Sequence, residues 1–328
     1  MRDVVAHGLT VSKALSIAGI SRSSYYYLAN GKRKGKSPST HSVHHSGKII
    51  TNEQLVEIIK ELLGQEFIDY GYKRTAHALK RMGWVINVKK VYRLMREHHL
   101  LYPVRKRSRT DKTYVEHTKP RALYPFHVME VDIKYIWLHW QRRHGYLVTF
   151  LCVKTRFAIS WELDLSMKSS QVARLLEGVI MDPLVLTLAG SPKHCLRIRS
   201  DNGPQFVARK LADACGRLGL DHEFIQPGTP QQNGHIEGFH STVERLICQQ
   251  YELRYLPDAT EVFTRFYQAY NYHRIMASIG YKTPYEALCE WAASKGKNLP
   301  SFPKSNCMQT NFNSTLTLTN HQTNLSSL

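Results

Sequence analysis

The stretch most informative about the fold is SDNGPQFVARKLADACGRLGLDHEFIQPGTPQQNGHIE (residues 200–237). It has one acid, Asp201, directly after its first residue and another, Glu237, at its end. An apolar strand-like segment precedes Asp201 and Asn202-Gly203 follows it, which predicts that Asp201 lies where a strand meets a turn. Apolar residues at helical spacing follow Glu237, which is predicted to lie on the opposite, polar side of that helix. The stretch therefore predicts alternating strand and helix with one acid at each end.

A third acid lies upstream in a segment with the alternation of a β-strand. Between Val128 and Trp137, a wholly apolar set alternates with a mixed set that contains Asp132. Three carboxylates that converge repel one another and are costly to desolvate unless cations neutralise them. Mg²⁺ prefers oxygen ligands and keeps phosphate oxygens in its shell, which suits phosphodiester chemistry. The acids are therefore predicted to hold two Mg²⁺ ions, with Mn²⁺ as a substitute, for an in-line displacement.

The arrangement Asp132, Asp201 and Glu237, with 35 residues between the last two, resembles the Asp-Asp-Glu triad of retroviral-type integrases and insertion-sequence transposases. The chain is most similar to transposases encoded by the second reading frame of two-frame bacterial insertion sequences. The resemblance covers Tyr72 to about Trp291. It includes the short sequence motifs Gly71-Tyr72-Lys73-Arg74, Val91-Tyr92-Arg93-Leu94-Met95-Arg96-Glu97, Ser200-Asp201-Asn202-Gly203 and Thr283-Pro284.

This resemblance implies an α/β fold with an RNase H-like mixed sheet flanked by helices, preceded by small helix-turn-helix-type modules. It also implies a DNA transposase that cleaves transposon ends and joins the freed 3′-hydroxyl to target DNA, with the three acids as catalytic metal ligands. The implied partners are double-stranded DNA, further copies of the chain in a homo-oligomer, and the upstream-frame protein of the same element.

Other interpretations stay open. An Asp before Asn-Gly is often a turn former, and an acid on the polar face of a helix is often only solvated. The chain could also be a noncatalytic DNA-binding regulator with a decayed core, or an RNase H-like nuclease that cleaves without joining. The position seven residues after Glu237 is basic in relatives but is Glu244 here, and the next residue, Arg245, is predicted to contact DNA.

Charge and composition narrow the class of protein. The formal charge is +19, and residues 1–121 carry 24 Lys and Arg against 9 Asp and Glu, whereas the remainder carries 21 against 17. A basic region beside a near-neutral body predicts a polyanion-binding module attached to an enzyme, although charge can also serve only solubility. Six cysteines without a C-x-x-C pair argue against a disulfide scaffold and a zinc site. The absence of a long apolar run or signal pattern predicts a cytoplasmic protein associated with bacterial DNA, without a membrane partner.

The chain divides into six predicted segments. They are a possible helix-turn-helix segment (1–30), a basic linker (31–50), a helical DNA-binding domain (51–103), a second basic linker (104–121), the RNase H-like integrase core (122–292) and a polar, disordered tail (293–328). The first linker is predicted because its sequence offers only Val43 for burial.

One helix of the 51–103 domain has the pattern of a DNA recognition helix. Asn87 is predicted to cap it, and the face opposite its apolar stripe carries Lys89, Lys90, Arg93 and Arg96. Such a charged face is often merely solvated, but its basic context favours DNA contact. The second linker is predicted to follow the phosphate backbone through Arg105, Lys106 and Arg107.

Overall fold

Two short helices open the described part of the chain. The computed structural model describes residues 10–29, 38–102, 121–189, 196–226 and 229–299. The helices are α1 (Val11–Ile17) and α2 (Arg22–Ala29). The hydroxyl of Ser21 accepts a hydrogen bond from the backbone N–H of Ser24 at 3.1 Å, which satisfies a donor at the start of α2. The predicted helix pair is present, and its DNA contact stays a prediction.

A three-stranded sheet and three helices form the next unit. Its strands are β1 (His41–His44), β2 (Ile49–Thr51) and β3 (Trp84–Val85), paired antiparallel in the order β2-β1-β3. Its helices are α3 (Asn52–Leu63), α4 (Tyr72–Arg81) and α5 (Val88–Glu97). These elements enclose a core of their own, in which Leu55, Ile59 and Leu79 are fully buried.

Strands β1 and β2 correct the linker predicted for residues 31–50 from His41 onward, and residues 31–37 lie outside the described residues. Val43 is 44% exposed, whereas its neighbour Ser42 is buried. Backbone pairing with β2 and β3, rather than burial of apolar side chains, holds β1 in place. A hydrophobic pattern misses such a strand because its stabilising partners lie elsewhere in the chain.

Two helices of this unit begin with a side-chain cap, one of them at the predicted Asn87. The Thr51 hydroxyl accepts from the backbone N–H of Gln54 at 3.4 Å, and the Gln54 side chain accepts from the backbone N–H of Thr51 at 3.0 Å. The Asn87 side chain accepts from the backbone N–H of Lys89 at 2.8 Å at the start of α5. Each cap contributes about 1 kcal/mol and helps fix the first residue of its helix.

A five-stranded mixed sheet forms the larger unit, with the strand order β6-β5-β4-β7-β8. Its strands are β4 (Val128–Leu138), β5 (Arg143–Cys152), β6 (Ala158–Asp164), β7 (Arg197–Ser200) and β8 (Asp221–Phe224). The first three form an antiparallel meander, and β7 pairs parallel with both β4 and β8. Parallel pairing requires crossover connections, and helices supply them here. The helices are α6 (Ser169–Met181), α7 (Pro183–Ala189), α8 (Pro204–Val207), α9 (Arg209–Leu218), α10 (Gly234–Val243), α11 (Leu256–Tyr272) and α12 (Pro284–Ser294).

Helices cover both faces of this sheet. Met129 of β4 is buried in the layer with α6 to α9 and α12, whereas Ile136 is buried in the layer with α10 and α11. Because side chains alternate along a strand, Glu130, Asp132 and Lys134 share the face of Ile136. Strand β4 thus directs three charged side chains toward the layer that contains α10.

The end of the described chain packs on the core. The Lys297 ammonium donates to the backbone carbonyl of Thr187 at 2.8 Å, beyond the end of α12. The predicted tail of residues 293–328 is therefore wrong for residues 293–299, because contacts with a distant helix order a segment whose own composition is polar. Residues 300–328 lie outside the described residues. No described helix has both the length and the hydropathy needed to cross a bilayer.

One carboxylate joins the helical unit to the core. Asp69, between α3 and α4, lies 2.5 Å from Arg274 and 2.6 Å from Arg245 of the core, and 3.3 Å from Arg74 of α4. Burial raises the Asp69 pKa, but the charges and hydrogen bonds of Arg274 and Arg245 outweigh it, so the net pKa is lowered. We call these four residues the Asp69 cluster. The cluster joins the two units, because Asp69 and Arg74 belong to the helical unit whereas Arg245 and Arg274 belong to the core.

Candidate active site

Asp132 lies in the middle of β4, opposite Thr149 of β5. One of its carboxylate oxygens accepts a hydrogen bond from the backbone N–H of Ile133 at 2.8 Å, and the other lies 3.3 Å from Nδ1 of His240 on α10. The side chain is 24% exposed. A mid-strand acid is tolerated here because its carboxylate keeps polar partners and some contact with solvent.

Asp201 directly follows β7, the parallel neighbour of β4. Its Oδ1 accepts a hydrogen bond from the backbone N–H of Gly203 at 3.0 Å. A Cβ atom at residue 203 would stand only 3.0 Å from this oxygen, so the glycine lets the turn stay close to the carboxylate. Burial raises the Asp201 pKa; the Gly203 hydrogen bond lowers it in part, and the Asp132 charge raises it again.

Glu237 lies in the first turn of α10 on its exposed side. Burial raises its pKa, the charges of Asp132 and Glu130 raise it further, and His240 lowers it in part. Asp132 therefore acts electrostatically on both of the other predicted acids. The structure brings Asp201 and Glu237 near Asp132, whose charge makes ionisation of both more costly.

The three acids do not form a closed ligand set. Within the segments that the structure describes, no three His, Cys, Asp or Glu side chains are grouped tightly enough to hold a metal ion as placed. Their chemistry nevertheless fits a hard divalent cation, because all three offer oxygen and their repulsion is uncompensated. Closer approach of Asp132 to the other acids requires release of its contact with His240, whose Nε2 is buried without a hydrogen-bond partner among the described residues.

A polar cavity of about 380 Å³ opens beside Glu237. Its lining consists of Lys134, Glu237, His240, Ser241, Glu244, Arg245 and Gln249. In its wall, the Lys134 ammonium lies 2.9 Å from the carboxylate of Glu244. The sequence resemblance predicted a basic residue at the position of Glu244, whereas the positive charge here comes from Lys134 of β4.

Two residues that sequence reasoning missed hold the start of α10. Glu130 is fully buried, and its Oε2 accepts from the backbone N–H groups of His235 at 3.0 Å and Ile236 at 2.8 Å. Arg199 donates to the backbone carbonyl of Gln232 at 3.0 Å. The available signal was a charged residue two positions before each aspartate. Alternation along a strand does not show which distant element such a residue meets.

The basic residues predicted on the recognition helix α5 have different surroundings. Lys89 and Arg96 are exposed. Lys90 and Arg93 are partly buried and donate hydrogen bonds to the backbone carbonyls of β1 and of the segment before it. DNA contact by these four residues stays a prediction.

The remaining predicted DNA-binding residues lie outside α5. Arg245 donates to the Asp69 carboxylate through its Nε at 2.7 Å. Arg105, Lys106 and Arg107 lie outside the described residues. Their contact with DNA therefore also stays a prediction.

Comparison with protein families places two kinds of domain along the chain. Residues 122–230 match a family model described as integrase core domain, and residues 218–284 match a second model with the same description. Residues 51–108 match a model described as HTH-like domain. These ranges cover most of the two units that the sheets and helices define, but leave out β1 and nearly all of α12.

Several similar proteins come from bacterial insertion elements. The chain is 28% identical over 277 residues to an uncharacterized 31.7 kDa protein of insertion element IS407 from Burkholderia multivorans, covering 84% of this chain and 88% of the relative. It is 26% identical over 295 residues to an uncharacterized 39.2 kDa protein of IS476 from Xanthomonas euvesicatoria, with 90% and 77% covered. It is 25% identical over 244 residues to the transposase InsD of IS2 from Escherichia coli, with 70% and 76% covered.

Solved structures of viral integrases also resemble the chain. The simian T-cell lymphotropic virus intasome matches with a TM-score of 0.44 and 16% identity, covering 78% of this chain and 79% of that chain. The HTLV-2 integrase catalytic core domain in complex with magnesium matches with a TM-score of 0.37 and 16% identity, covering 51% and 99%.

The family matches assign an integrase core domain to the unit with the mixed sheet and an HTH-like domain to the helical unit, which confirms the predicted class of DNA transposase or integrase. The similar proteins come from bacterial insertion elements, and one of them is a transposase.

Proposed function

We propose that the chain is a Mg²⁺-dependent DNA strand transferase that cleaves transposon ends and joins the freed 3′-hydroxyl to target DNA. The observation that carries the proposal is the placement of Asp201 and Glu237 beside Asp132, where burial raises the pKa of both groups and the charge of Asp132 raises it further. Such a site favours a divalent cation with oxygen ligands. The similarity to an insertion-element transposase supports DNA as the substrate.

The three acids have distinct positions in the proposed chemistry. Asp132 and Asp201 would hold or bridge two Mg²⁺ ions, or Mn²⁺ in their place, and Glu237 would complete the site. When bound, the ions supply positive charge that activates the attacking hydroxyl and stabilises the leaving oxygen. The chain contributes orientation, because β4, the end of β7 and the first turn of α10 each present one carboxylate. Water would first attack a phosphodiester at the transposon end and release a 3′-hydroxyl. This 3′-hydroxyl would then attack a phosphodiester of target DNA, so no protein nucleophile is needed.

Double-stranded DNA is the proposed partner of the basic N-terminal region. The exposed Lys89 and Arg96 of α5 support contact with the transposon end, with Lys90 and Arg93 beside them. Two ends must be recombined with one target, which favours a homo-oligomer. The upstream-frame protein of the same element is a further proposed partner.

The variant Asp201→Asn tests the assignment of the acids. It keeps the side-chain size and an acceptor for the Gly203 N–H, but removes one charge. We expect strand transfer in Mg²⁺ to fall at least about 1,000-fold, because metal-assisted stabilisation of the transition state contributes several kcal/mol. Affinity for a transposon-end duplex in a gel shift should stay within about threefold, since the recognition helix is untouched.

Asp213→Asn is the matched control, since Asp213 is an exposed acid of α9 whose carboxylate lies 3.9 Å from Arg209. It should retain strand transfer within about twofold of the unmodified chain. Strand transfer by Asp201→Asn at the rate of this control would contradict the proposed site. An unmodified chain that binds DNA without cleaving it would instead be a regulator, and one that cleaves without joining would be a nuclease.

A further inference from the structure

Two residues on the neighbouring strands β4 and β7 contact the start of helix α10. Glu130 of β4 and Arg199 of β7 are direct partners in the parallel register. Each lies two residues before one of the aspartates of the candidate site. Two residues along a strand span roughly 6–7 Å, so the pair is separated from the two aspartates by about that distance along the strand direction. We call Glu130 and Arg199 the anchoring pair.

The anchoring pair contacts the backbone of the chain that enters α10. Glu130 accepts hydrogen bonds from the N–H groups of two successive residues, His235 and Ile236, on a single oxygen. Its other oxygen lies 2.7 Å from Nδ1 of His235. Arg199 donates to the carbonyl of Gln232, in the turn before the helix, and also to the carboxylate of Glu223 on β8. The N–H and carbonyl contacts hold both sides of the helix start through its main chain, so they do not depend on the side-chain rotamers of α10.

The first turn of α10 connects this anchor to Glu237. His235, which contacts Glu130, lies in the same turn as Glu237. A second contact joins the same strand and helix, where the Asp132 carboxylate lies 3.3 Å from Nδ1 of His240. Strand β4 therefore contacts α10 at two points, and a shift of the helix at Glu130 would move Glu237 away from Asp132.

Stability alone is a weak reason for a carboxylate in this place. Glu130 is 0% exposed, and a buried ionised group usually stabilises a fold no better than an apolar residue of similar volume. Its cost is offset here by hydrogen bonds that all come from the first turn of one helix. A directional acceptor gives what an apolar side chain cannot, namely a defined position for that turn.

We propose that Glu130, supported by Arg199, is a positioning residue for the catalytic site: it fixes the first turn of α10 so that Glu237 faces Asp132 and Asp201. The inference rests on the proposed function, since it concerns the same site. Glu130 itself is proposed to contact neither DNA nor cation. Glu130 acts only through the backbone of α10.

Hydrogen exchange without divalent cation tests the anchor directly. In the full chain, Glu130→Ala should increase amide exchange of residues 235–240 at least about tenfold, because the first turn loses its acceptor and opens locally. Glu130→Gln, which keeps an acceptor of the same length, should restore most of the protection. The control Asn271→Ala removes two buried hydrogen bonds of 2.9 Å to Ala158 of β6, and should increase exchange there but not at the start of α10.

Cation dependence tests the consequence for the site. The Mg²⁺ concentration for half-maximal strand transfer, and the Kd for Mn²⁺ measured by calorimetry, should rise about 10- to 100-fold in Glu130→Ala, as is typical when the support of a metal ligand is removed. Binding of a transposon-end duplex should not change. Glu130→Gln should fall between this variant and the unmodified chain, and Asn271→Ala should keep the original cation dependence even if less of it is folded.

The proposal is overturned if Glu130→Ala keeps the protection of residues 235–240 and the cation dependence, or changes them no more than Asn271→Ala does. If Glu130→Ala does not fold, Glu130→Asp decides, since it keeps the charge but withdraws the carboxylate by one methylene. A raised cation requirement in that variant supports the anchor, and an unchanged one refutes it. Failure of the proposed function is distinguishable, because the unmodified chain would then lack cation-dependent strand transfer whatever the exchange data show.

Discussion

The Asp69 cluster and the candidate active site both gather charged side chains in partly buried places, but their charge balance is opposite. At Asp69, three guanidiniums surround one carboxylate, and its net pKa is lowered. At the candidate site, burial and the neighbouring Asp132 raise the pKa of Asp201 and Glu237. The protein surrounds the acid of the first cluster with excess positive charge and leaves the second cluster with excess negative charge. Charge balance, rather than the number of charged residues, therefore separates the structural cluster from the catalytic candidate.

The largest change in the free energy of unfolding is expected when the same Asp-to-Asn substitution is made at Asp69. Asp69→Asn removes the charge that compensates Arg274, whose side chain is only 6% exposed. We expect the free energy of unfolding to fall by about 3 kcal/mol, because one member of a buried ion pair is left uncompensated. Urea denaturation at neutral pH measures this change. A loss below about 1 kcal/mol would contradict the view that this cluster fixes the two units.

Acid should abolish the contribution of the Asp69 cluster. Because the folded-state pKa of Asp69 is lowered, its contribution is fully present above the unfolded value of about 3.9 and is lost as pH falls through the folded value. The difference in Tm between the unmodified chain and Asp69→Asn should therefore narrow as pH falls below about 4. Melting curves of both proteins from pH 7 to pH 3 measure it, and a difference that widens over this range would show the opposite sign.

Within the Asp69 cluster, exposure should grade the effect. Arg245 is 46% exposed, so Arg245→Gln should cost only about 0.5–1 kcal/mol, while Arg274→Gln should approach the effect of Asp69→Asn. Denaturation of the two variants side by side checks the order. If Arg245 also binds a phosphate of DNA, its variant will weaken end binding and reduce the salt slope by about one. An unchanged slope would leave Arg245 a purely structural role.

The smallest effect, and the one of opposite sign, is expected at the candidate site. Without divalent cation, Asp201→Asn should increase the free energy of unfolding by a few tenths up to about 1 kcal/mol, because it relieves repulsion with Asp132. Added Mg²⁺ should raise the Tm of the unmodified chain more than that of the variant. Thermal melts in a chelator and in Mg²⁺ measure both effects. Destabilisation by Asp201→Asn in the chelator would remove the contrast with Asp69.

Local patterns were sufficient for most elements of the fold. Asn87 begins the helix that its cap predicts, and the apolar alternation of β4 defines the strand that carries Asp132. These features depend on neighbours within a few residues, so a sequence read in short windows contains them. The grouping of the three acids, by contrast, was expected from the resemblance, and their assignment as metal ligands stays a proposal.

Other features escaped prediction because their cause lies far away in the chain. Val43 points outward from a strand held by backbone pairing, and Lys297 is fixed by a carbonyl of α7. The sequence marks Glu130 as one more charge on a strand. Only the fold shows that it binds the first turn of α10.

The sequence by itself determined the class of the protein and most of its elements, because periodicity and motifs are encoded locally. Only the tertiary structure decided how charge is distributed among partners: Arg274 and Arg245 converge on Asp69, whereas Asp201 and Glu237 converge on another acid. Electrostatic energy depends on distance and burial in the folded state, and neither quantity can be read from separation along the chain.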